Sequence, residues 1–235
     1  MDYILDVHTH TIVSGHAYST MQEVIEQAAK KGLELVAITD HAPAMPGSAH
    51  MFYFSNLGVL PQYIYGVEVL KGIEANIINY NGDIDVSEVI LKQLDIVIAS
   101  LHPPCIDFGN IEQNTNAIIG AMKNPYVNII GHPDDARYPL DYDKIVKAAK
   151  EHNVLLEVNN SSMNPNGFRK GADKIKIMLE KCMKENVSVV INSDAHVSFD
   201  VGKFDSAIKL IEEINFPKEL IVNTSKEKLK RFLKG

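Results

Sequence analysis

The sequence is short of the features that would send a chain outside the cell, into a bilayer or along nucleic acid. Cysteine is scarce: Cys105 and Cys182 are the two in 235 residues, and they do not form a CxxC pair. A disulfide framework is therefore not expected. Long hydrophobic runs are missing too, since no stretch approaches the ~18 apolar residues that mark a bilayer span. The opening segment Met1-Asp2-Tyr3-Ile4-Leu5-Asp6 has no basic region ahead of an apolar one, so no signal peptide is read there. The expected location is the cytoplasm, with no membrane partner. Basic charge is in deficit: 23 Lys and Arg stand against 30 Asp and Glu, a net charge of −7. Broad duplex binding needs clustered Lys and Arg to neutralise phosphates, so no stable nucleic-acid partner is expected. A small anionic substrate held by metal ions is not excluded by that balance.

What is present is an α/β pattern. Apolar, β-branched runs near residues 3–8, 34–39, 65–75, 95–101, 127–131, 154–158 and 187–192 read as strands. Amphipathic stretches over 20–32, 85–93, 111–123, 141–152, 172–186, 203–214 and 225–233 read as helices. The first has a clear start and stop, with Thr20 as N-cap and Gly32 after the last turn. Strand followed by helix, about seven times, predicts a parallel sheet with right-handed crossovers. With 46% apolar residues and no Ser/Gly-rich linker, one domain over 1–235 is expected: a closed or nearly closed barrel, with an open doubly wound sheet as rival. Residues 42–64 break the pattern. They contain Pro43, Pro46, Gly47, Gly58 and Pro61, with Met45, Met51, Phe52 and Phe54 reading as exposed. A loop this long suggests a lid or a hydrophobic plug at the barrel edge.

The histidines carry the chemistry. Seven of the nine fall at, or just after, the C-terminal ends of predicted strands: His8, His10, His16, His41, His102, His132 and His196. Glu74 ends the third strand and Asp194 the seventh. In a barrel these ends converge on one rim, where barrel enzymes carry their active sites. His8 and His10 are two apart and so face the same side of a strand. One such histidine is unremarkable, but this many with two acids would be costly to gather in a buried place without a cation. A zinc ion takes four ligands, one of them often water. Nine candidates therefore suit two or three ions, with Glu74 bridging. Imidazole and carboxylate donors fit zinc, manganese or iron. Ions about 3.5–4 Å apart are typical of phosphate-ester hydrolysis.

The segments Asp6-Val7-His8-Thr9-His10, Thr39-Asp40-His41, Gly72-Ile73-Glu74, Ser100-Leu101-His102, Gly131-His132-Pro133 and Ser193-Asp194-Ala195-His196 resemble the PHP (polymerase and histidinol phosphatase) family. Gly131-His132-Pro133-Asp134, Arg137-Tyr138-Pro139 and Glu157-Val158-Asn159-Asn160-Ser161-Ser162 are similar to its stand-alone YcdX-type bacterial phosphatases. The resemblance implies a distorted seven-stranded (β/α)7 barrel, TIM-like with parallel strands, and a trinuclear site, commonly zinc. It implies one ion held by His8, His10, Glu74 and Asp194, a second sharing Glu74 with His102 and His132, and a third held by His16, His41 and His196. The function implied is hydrolysis of small phosphomonoesters by a metal-activated water, with Glu74, Asp194 and His196 as catalytic residues.

Further candidates lie on the same rim. Arg169, and less strongly Arg137, suit a substrate phosphate, because Arg binds phosphate oxygens bidentately. His50 in the long loop is a candidate acid for the leaving oxygen, against plain exposure. Asn159, Asn160 and Ser161 suit either ligand orientation or a turn. Cys105 reads as a packed free thiol, and Cys182 as core. His152 reads as a residue closing a helix C-terminus. Rival functions are a phosphodiesterase or oligonucleotide exonuclease of the same family, an amidohydrolase, and a non-catalytic metal-binding module. The amidohydrolase reading lacks a bridging Lys at the fourth strand end. The module predicts closed coordination with no open water position.

Overall fold

The computed structural model describes residues 3–233. Its strands are β1 (Leu5–Asp6), β2 (Leu35–Ile38), β3 (Tyr63–Ile64), β4 (Val67–Asn76), β5 (Ile96–Ser100), β6 (Ile129–Ile130), β7 (Leu155–Asn159) and β8 (Val189–Asn192). Seven of them, in the order β1-β2-β4-β5-β6-β7-β8, are parallel neighbours. They curl into a nearly closed, distorted (β/α)7 barrel, as the strand–helix alternation predicts. The helices are α1 (Met21–Lys30), α2 (Met51–Ser55), α3 (Glu88–Leu91), α4 (Ile111–Met122), α5 (Tyr142–His152), α6 (Ala172–Glu185), α7 (Asp205–Glu213) and α8 (Lys226–Lys230). No described helix is long and apolar enough to cross a membrane.

Local sequence explains the helix ends. Thr20 accepts a hydrogen bond from the Glu23 N–H, and the Glu23 carboxylate accepts one from the Thr20 N–H, a reciprocal cap that starts α1. Asn110 and Gln113 do the same for α4. Asn153 and Asn186 close α5 and α6 in the left-handed region, which asparagine tolerates better than most residues. The α1 face that carries Val24, Ile25 and Ala28 is buried.

Strand alternation divides the interior into two layers. Leu5, Val7, Leu35, Ala37, Ile96, Ile98, Ile129, Leu155 and Val190 fill the barrel. Their neighbours, such as Val36, Ile38, Val97, Ala99, Leu156 and Val158, pack outward in the larger cluster with the helices. Strands covered on both faces read as continuous apolar runs, which is why they are prominent in the sequence. Val222 and Leu229, near the C-terminus, join the inner cluster.

The barrel closes without a full ladder between its first and last strands. A single bridge pairs Thr9 with Ala195. Next to it, the Asn223 side chain donates to the carbonyls of Leu5 and Ile191 and accepts from the Ile191 N–H. Asn192 Oδ1 accepts from the Val7 N–H at 3.0 Å. The Asp6 carboxylate accepts from Ser193 and from the Gly202 N–H. Burial raises that carboxyl to about 6, against the pull of these hydrogen bonds.

The segment 42–64 differs from expectation. It is not a bare loop: it holds α2, a 3₁₀ turn at Leu57–Val59 and β3, which pairs antiparallel with β4. Of the four residues read as exposed, Phe52 is 75% exposed, but Met45 and Phe54 are buried and Met51 is partly buried against the core. A fully buried Phe stabilises by roughly 1.5–3 kcal/mol, so the segment is anchored as a plug on the barrel wall. The turn from β3 to β4 has positive φ at both Tyr65 and Gly66, the hairpin geometry that twists with its strands.

Candidate metal centre

The strand ends bring the nine candidate ligands to one rim. Glu74, at the end of β4, lies at the middle. Its Oε1 is 3.3 Å from His8 Nε2, 3.2 Å from His102 Nε2 and 3.0 Å from His132 Nε2. Its Oε2 is 2.7 Å from His41 Nδ1 and 3.4 Å from His10 Nε2. Asp194 Oδ1 lies 3.5 Å from His8 Nε2 and 3.2 Å from His10 Nε2. His16 and His196 complete the group on its outer side, their Nε2 atoms 3.1 Å apart.

Three of the inner imidazoles have their far nitrogen fixed. His8 Nδ1 donates to Glu157 Oε1 at 2.7 Å. His102 Nδ1 donates to Asn76 Oδ1 at 2.7 Å, while the Asn76 amide donates to Asp85 and the Ala42 carbonyl. His10 Nδ1 meets Ser14 Oγ at 3.1 Å, and the Ser14 hydroxyl donates to Asp40 Oδ1. These bonds set the tautomer that leaves Nε2 as a lone pair facing the rim. Backbone strain contributes as well. His132 and Asp194 have φ of 27° and 53°, each costing about 1–3 kcal/mol. Gly131 leaves no room for a side chain, since a Cβ there would lie 2.2 Å from Ser100 Oγ.

The donor set fits divalent cations. Among the described residues, six buried atoms on this rim lack a hydrogen-bond partner: His8 Nε2, His10 Nε2, His41 Nδ1, Glu74 Oε2, His102 Nε2 and Asp194 Oδ1. They sit close to one another without hydrogen-bond alignment. Unpartnered buried donors and acceptors cost about 1–3 kcal/mol each, so six in one place fit a site for positive charge. Three trios can each converge on one ion: His8, His10 and Asp194; His10, His41 and His196; His41, Glu74 and His102. His10 and His41 each belong to two trios, so the geometry does not confine His41 to a set with His16 and His196.

Electrostatics agree. Burial disfavours the His8 cation, yet Glu157, Glu74 and Asp194 outweigh it and hold the His8 pKa well above its ordinary value. His10 is held well below by burial and by its neighbours His196 and His41. Burial opposes ionisation of Glu74 and Asp194, but His8 and His102 around the first, and Arg169 and His8 around the second, keep both carboxyls well below the usual range. Three buried carboxylates with one nearby guanidinium call for added positive charge.

The other candidates separate. Arg169 Nη1 donates to Asp194 Oδ2 at 2.6 Å, and Arg137 is paired with Asp135. Both line a cleft of about 240 Å³ beside Asp194 and His196. His50 is exposed, and its Nδ1 accepts the Phe52 N–H as the cap of α2. Asn159 donates to Glu157 and Asp194, whereas Asn160 accepts from the N–H groups of Ser206 and Ala207. Cys105 is a half-buried free thiol that burial pushes up to about 12, and Cys182 is core.

Sequence reasoning gave no role to Glu157, Asn76, Ser14 or Asp40, which orient the imidazoles. Glu157 stands out. Oε1 accepts from His8 and Asn192, and Oε2 accepts from the His132 N–H at 2.6 Å and from Asn159. Glu157→Gln turns one acceptor into a donor facing donors. The expected result is about a 10–100-fold loss of metal affinity or activity, with little change in fold. Zinc affinity by chelator competition, beside a thermal melt, checks it; unchanged affinity contradicts the role.

The PHP domain model matches residues 6–161. A probable phosphatase of Caldanaerobacter subterraneus subsp. tengcongensis is 53% identical over 232 residues, covering 98% of this chain and 91% of that protein. A probable phosphatase of Acetivibrio thermocellus is 48% identical over 235 residues, covering 100% and 96%. Among solved structures, the histidinol phosphate phosphatase of Lactococcus lactis subsp. lactis, crystallised with zinc, L-histidinol and phosphate, aligns with a TM-score of 0.60 at 16% identity, over 92% of this chain and 95% of that one. A chain in the cryo-EM structure of an archaeal ribonuclease P with mature tRNA aligns at 0.59 and 14% identity, over 97% and 87%. At those identities the structural likenesses show the fold.

Proposed function

From the premise that this chain belongs to the PHP domain family and is a phosphoester hydrolase like its half-identical relatives, we propose that it is a phosphatase of small phosphomonoesters working at a three-ion zinc site. The observation that carries this reading is the set of six unpartnered buried donor atoms on one rim. His8, His10, Glu74 and Asp194 would hold one ion, Glu74, His102 and His132 a second, and His16, His41 and His196 a third. The zinc reported with the Lactococcus lactis phosphatase and the thiolate-free donor set support zinc, though manganese and iron suit the same donors. Bound ions of this kind lower the pKa of water and neutralise phosphoryl charge.

The protein's own groups do the rest. Arg169 is 18% exposed at its side chain and directed by Asp194. It has donors left for a non-bridging phosphoryl oxygen. Asp194 has Oδ2 held by Arg169 and Asn159 and Oδ1 directed at the rim, so Oδ1 would hold the ion that it shares with His8 and His10. His196, partly exposed, has Nδ1 against the Asp194 carbonyl, which leaves Nε2 for the ion that it would share with His16 and His41. The net charge of −7 favours a monoester over a long polyanion.

Turnover of p-nitrophenyl phosphate against its bis ester and a short oligonucleotide tests the reading: the monoester should be preferred, and the reverse order would make the protein a diesterase. Elemental analysis should give close to three ions per chain, and a ratio near one breaks the grouping. Arg169→Ala removes a charge-assisted bond worth about 1.5–3 kcal/mol. Its Michaelis constant is expected to rise by roughly 10–100-fold, and an unchanged constant removes Arg169 from substrate binding.

A further inference from the structure

The cleft beside the rim has two guanidinium groups, and they are anchored differently. Arg169 is committed to Asp194 and the ligand cluster. Arg137 faces away from that duty. Its Nε donates to Asp135 Oδ1 at 2.9 Å and its Nη2 to Asp135 Oδ2 at 2.6 Å. The Arg137 backbone N–H also donates to Asp135 Oδ1 at 3.0 Å. Asp135 is buried, so this fork is fixed from behind. A guanidinium has five N–H donors. The pairing with Asp135 uses the Nε–H and one Nη2–H, which leaves the Nη1 edge and the other Nη2–H open, on a side chain 34% exposed.

Phe168 lines the same cleft, with Asn164, Asp194 and His196. It is 89% exposed, so its ring face is open to an apolar or aromatic part of a ligand. An immobilised guanidinium edge and an uncovered ring, on a path leading to the candidate ligands, form a binding surface with two chemistries. The reacting phosphate already has the rim and Arg169. A second guanidinium is therefore surplus to the reacting group and faces the rest of the molecule.

We infer that Arg137, held by Asp135, and Phe168 form a subsite for the leaving alcohol, and that the preferred substrates are phosphomonoesters whose alcohol carries a second forked anion, a carboxylate or another phosphate, on an apolar or aromatic frame. This rests on the phosphatase reading above. The Asp135–Arg137 pair has no net charge, so its selectivity is geometric: a planar or tetrahedral anion that accepts two parallel N–H bonds fits, and a point anion does not.

The test is calorimetric and uses no turnover. Zinc-loaded protein is titrated with benzylphosphonate, 4-carboxybenzylphosphonate and the bis-phosphonate of p-xylene. The wild type is expected to bind at least one of the two dianionic-ended probes about tenfold more tightly than benzylphosphonate; which one separates carboxylate from phosphate. In Arg137→Gln that ratio should fall to about one, and in Arg137→Lys, which keeps the charge and loses the fork, it should stay well below the wild-type value. Equal affinities for all three probes in the wild type, or a tenfold ratio surviving in Arg137→Gln, overturns the subsite. Phosphate release from benzyl phosphate and 4-carboxybenzyl phosphate is measured alongside. Absence of release from both would refute the phosphatase reading while the affinity ratio still reports on Arg137.

Discussion

Glu74→Gln is expected to reduce phosphomonoester hydrolysis by on the order of 10³-fold or more, and to lower the metal content of the purified protein. The reason is position. Glu74 lies within 3.4 Å of five imidazoles drawn from four different strand ends. Removing its charge while keeping its shape leaves those imidazoles aimed at a neutral amide. The amide nitrogen would point a donor at a lone pair on at least one ring. Metal analysis together with kcat on p-nitrophenyl phosphate decides the matter. A variant with full metal and full turnover would take Glu74 out of the centre, and with it the grouping around it.

Removal of metal is the second large effect. Protein dialysed against a strong chelator should lose its phosphatase activity and regain it with zinc. It should also melt earlier. A ligand present at about 1,000 times its dissociation constant stabilises by about 4 kcal/mol. For a chain of this size each kcal/mol moves the midpoint by roughly 2–4 °C. One tightly held ion is thus worth on the order of 10 °C, and more than one ion adds to that. The stripped protein retains buried carboxylates beside buried imidazoles, with His8 drawn toward protonation by its acidic neighbours. A stripped preparation that melts and turns over like the loaded one contradicts the metal reading outright.

The barrel and most of the rim were legible in the sequence for a common reason. Strands buried on both faces spell unbroken apolar runs, and the first polar residues after each run mark the rim. His41 after Thr39-Asp40 and His102 after Ser100-Leu101 follow that rule. Glu157 was harder to read. It lies inside the run Leu155-Leu156-Glu157-Val158, and its partner His8 is 149 residues away. The available signal was parity: Leu155 faces the barrel interior, so Glu157, two residues on, faces it too, and an acid there needs partners. The segment 42–64 misled because aperiodic hydrophobic residues do not declare a side. Met45 and Phe54 turn inward while Phe52 stays in solvent, and only packing against the barrel wall decides which. His50, weighed in the sequence between a leaving-group acid and plain exposure, is exposed, with its Nδ1 engaged in starting α2.

The seam between β1 and β8 has a consequence for how this protein assembles. There the cylinder is fastened by an asparagine amide, an aspartate and one bridge in place of a ladder. His8 and His10 stand on one bank of that seam and Asp194 and His196 on the other. A cation gripped by His8, His10 and Asp194 would therefore be a rivet between the first and last thirds of the chain. Loading such an ion and shutting the cylinder would then be one event, and amide protons along residues 4–10 and 191–195 should be the ones whose exchange with solvent slows most on addition of zinc.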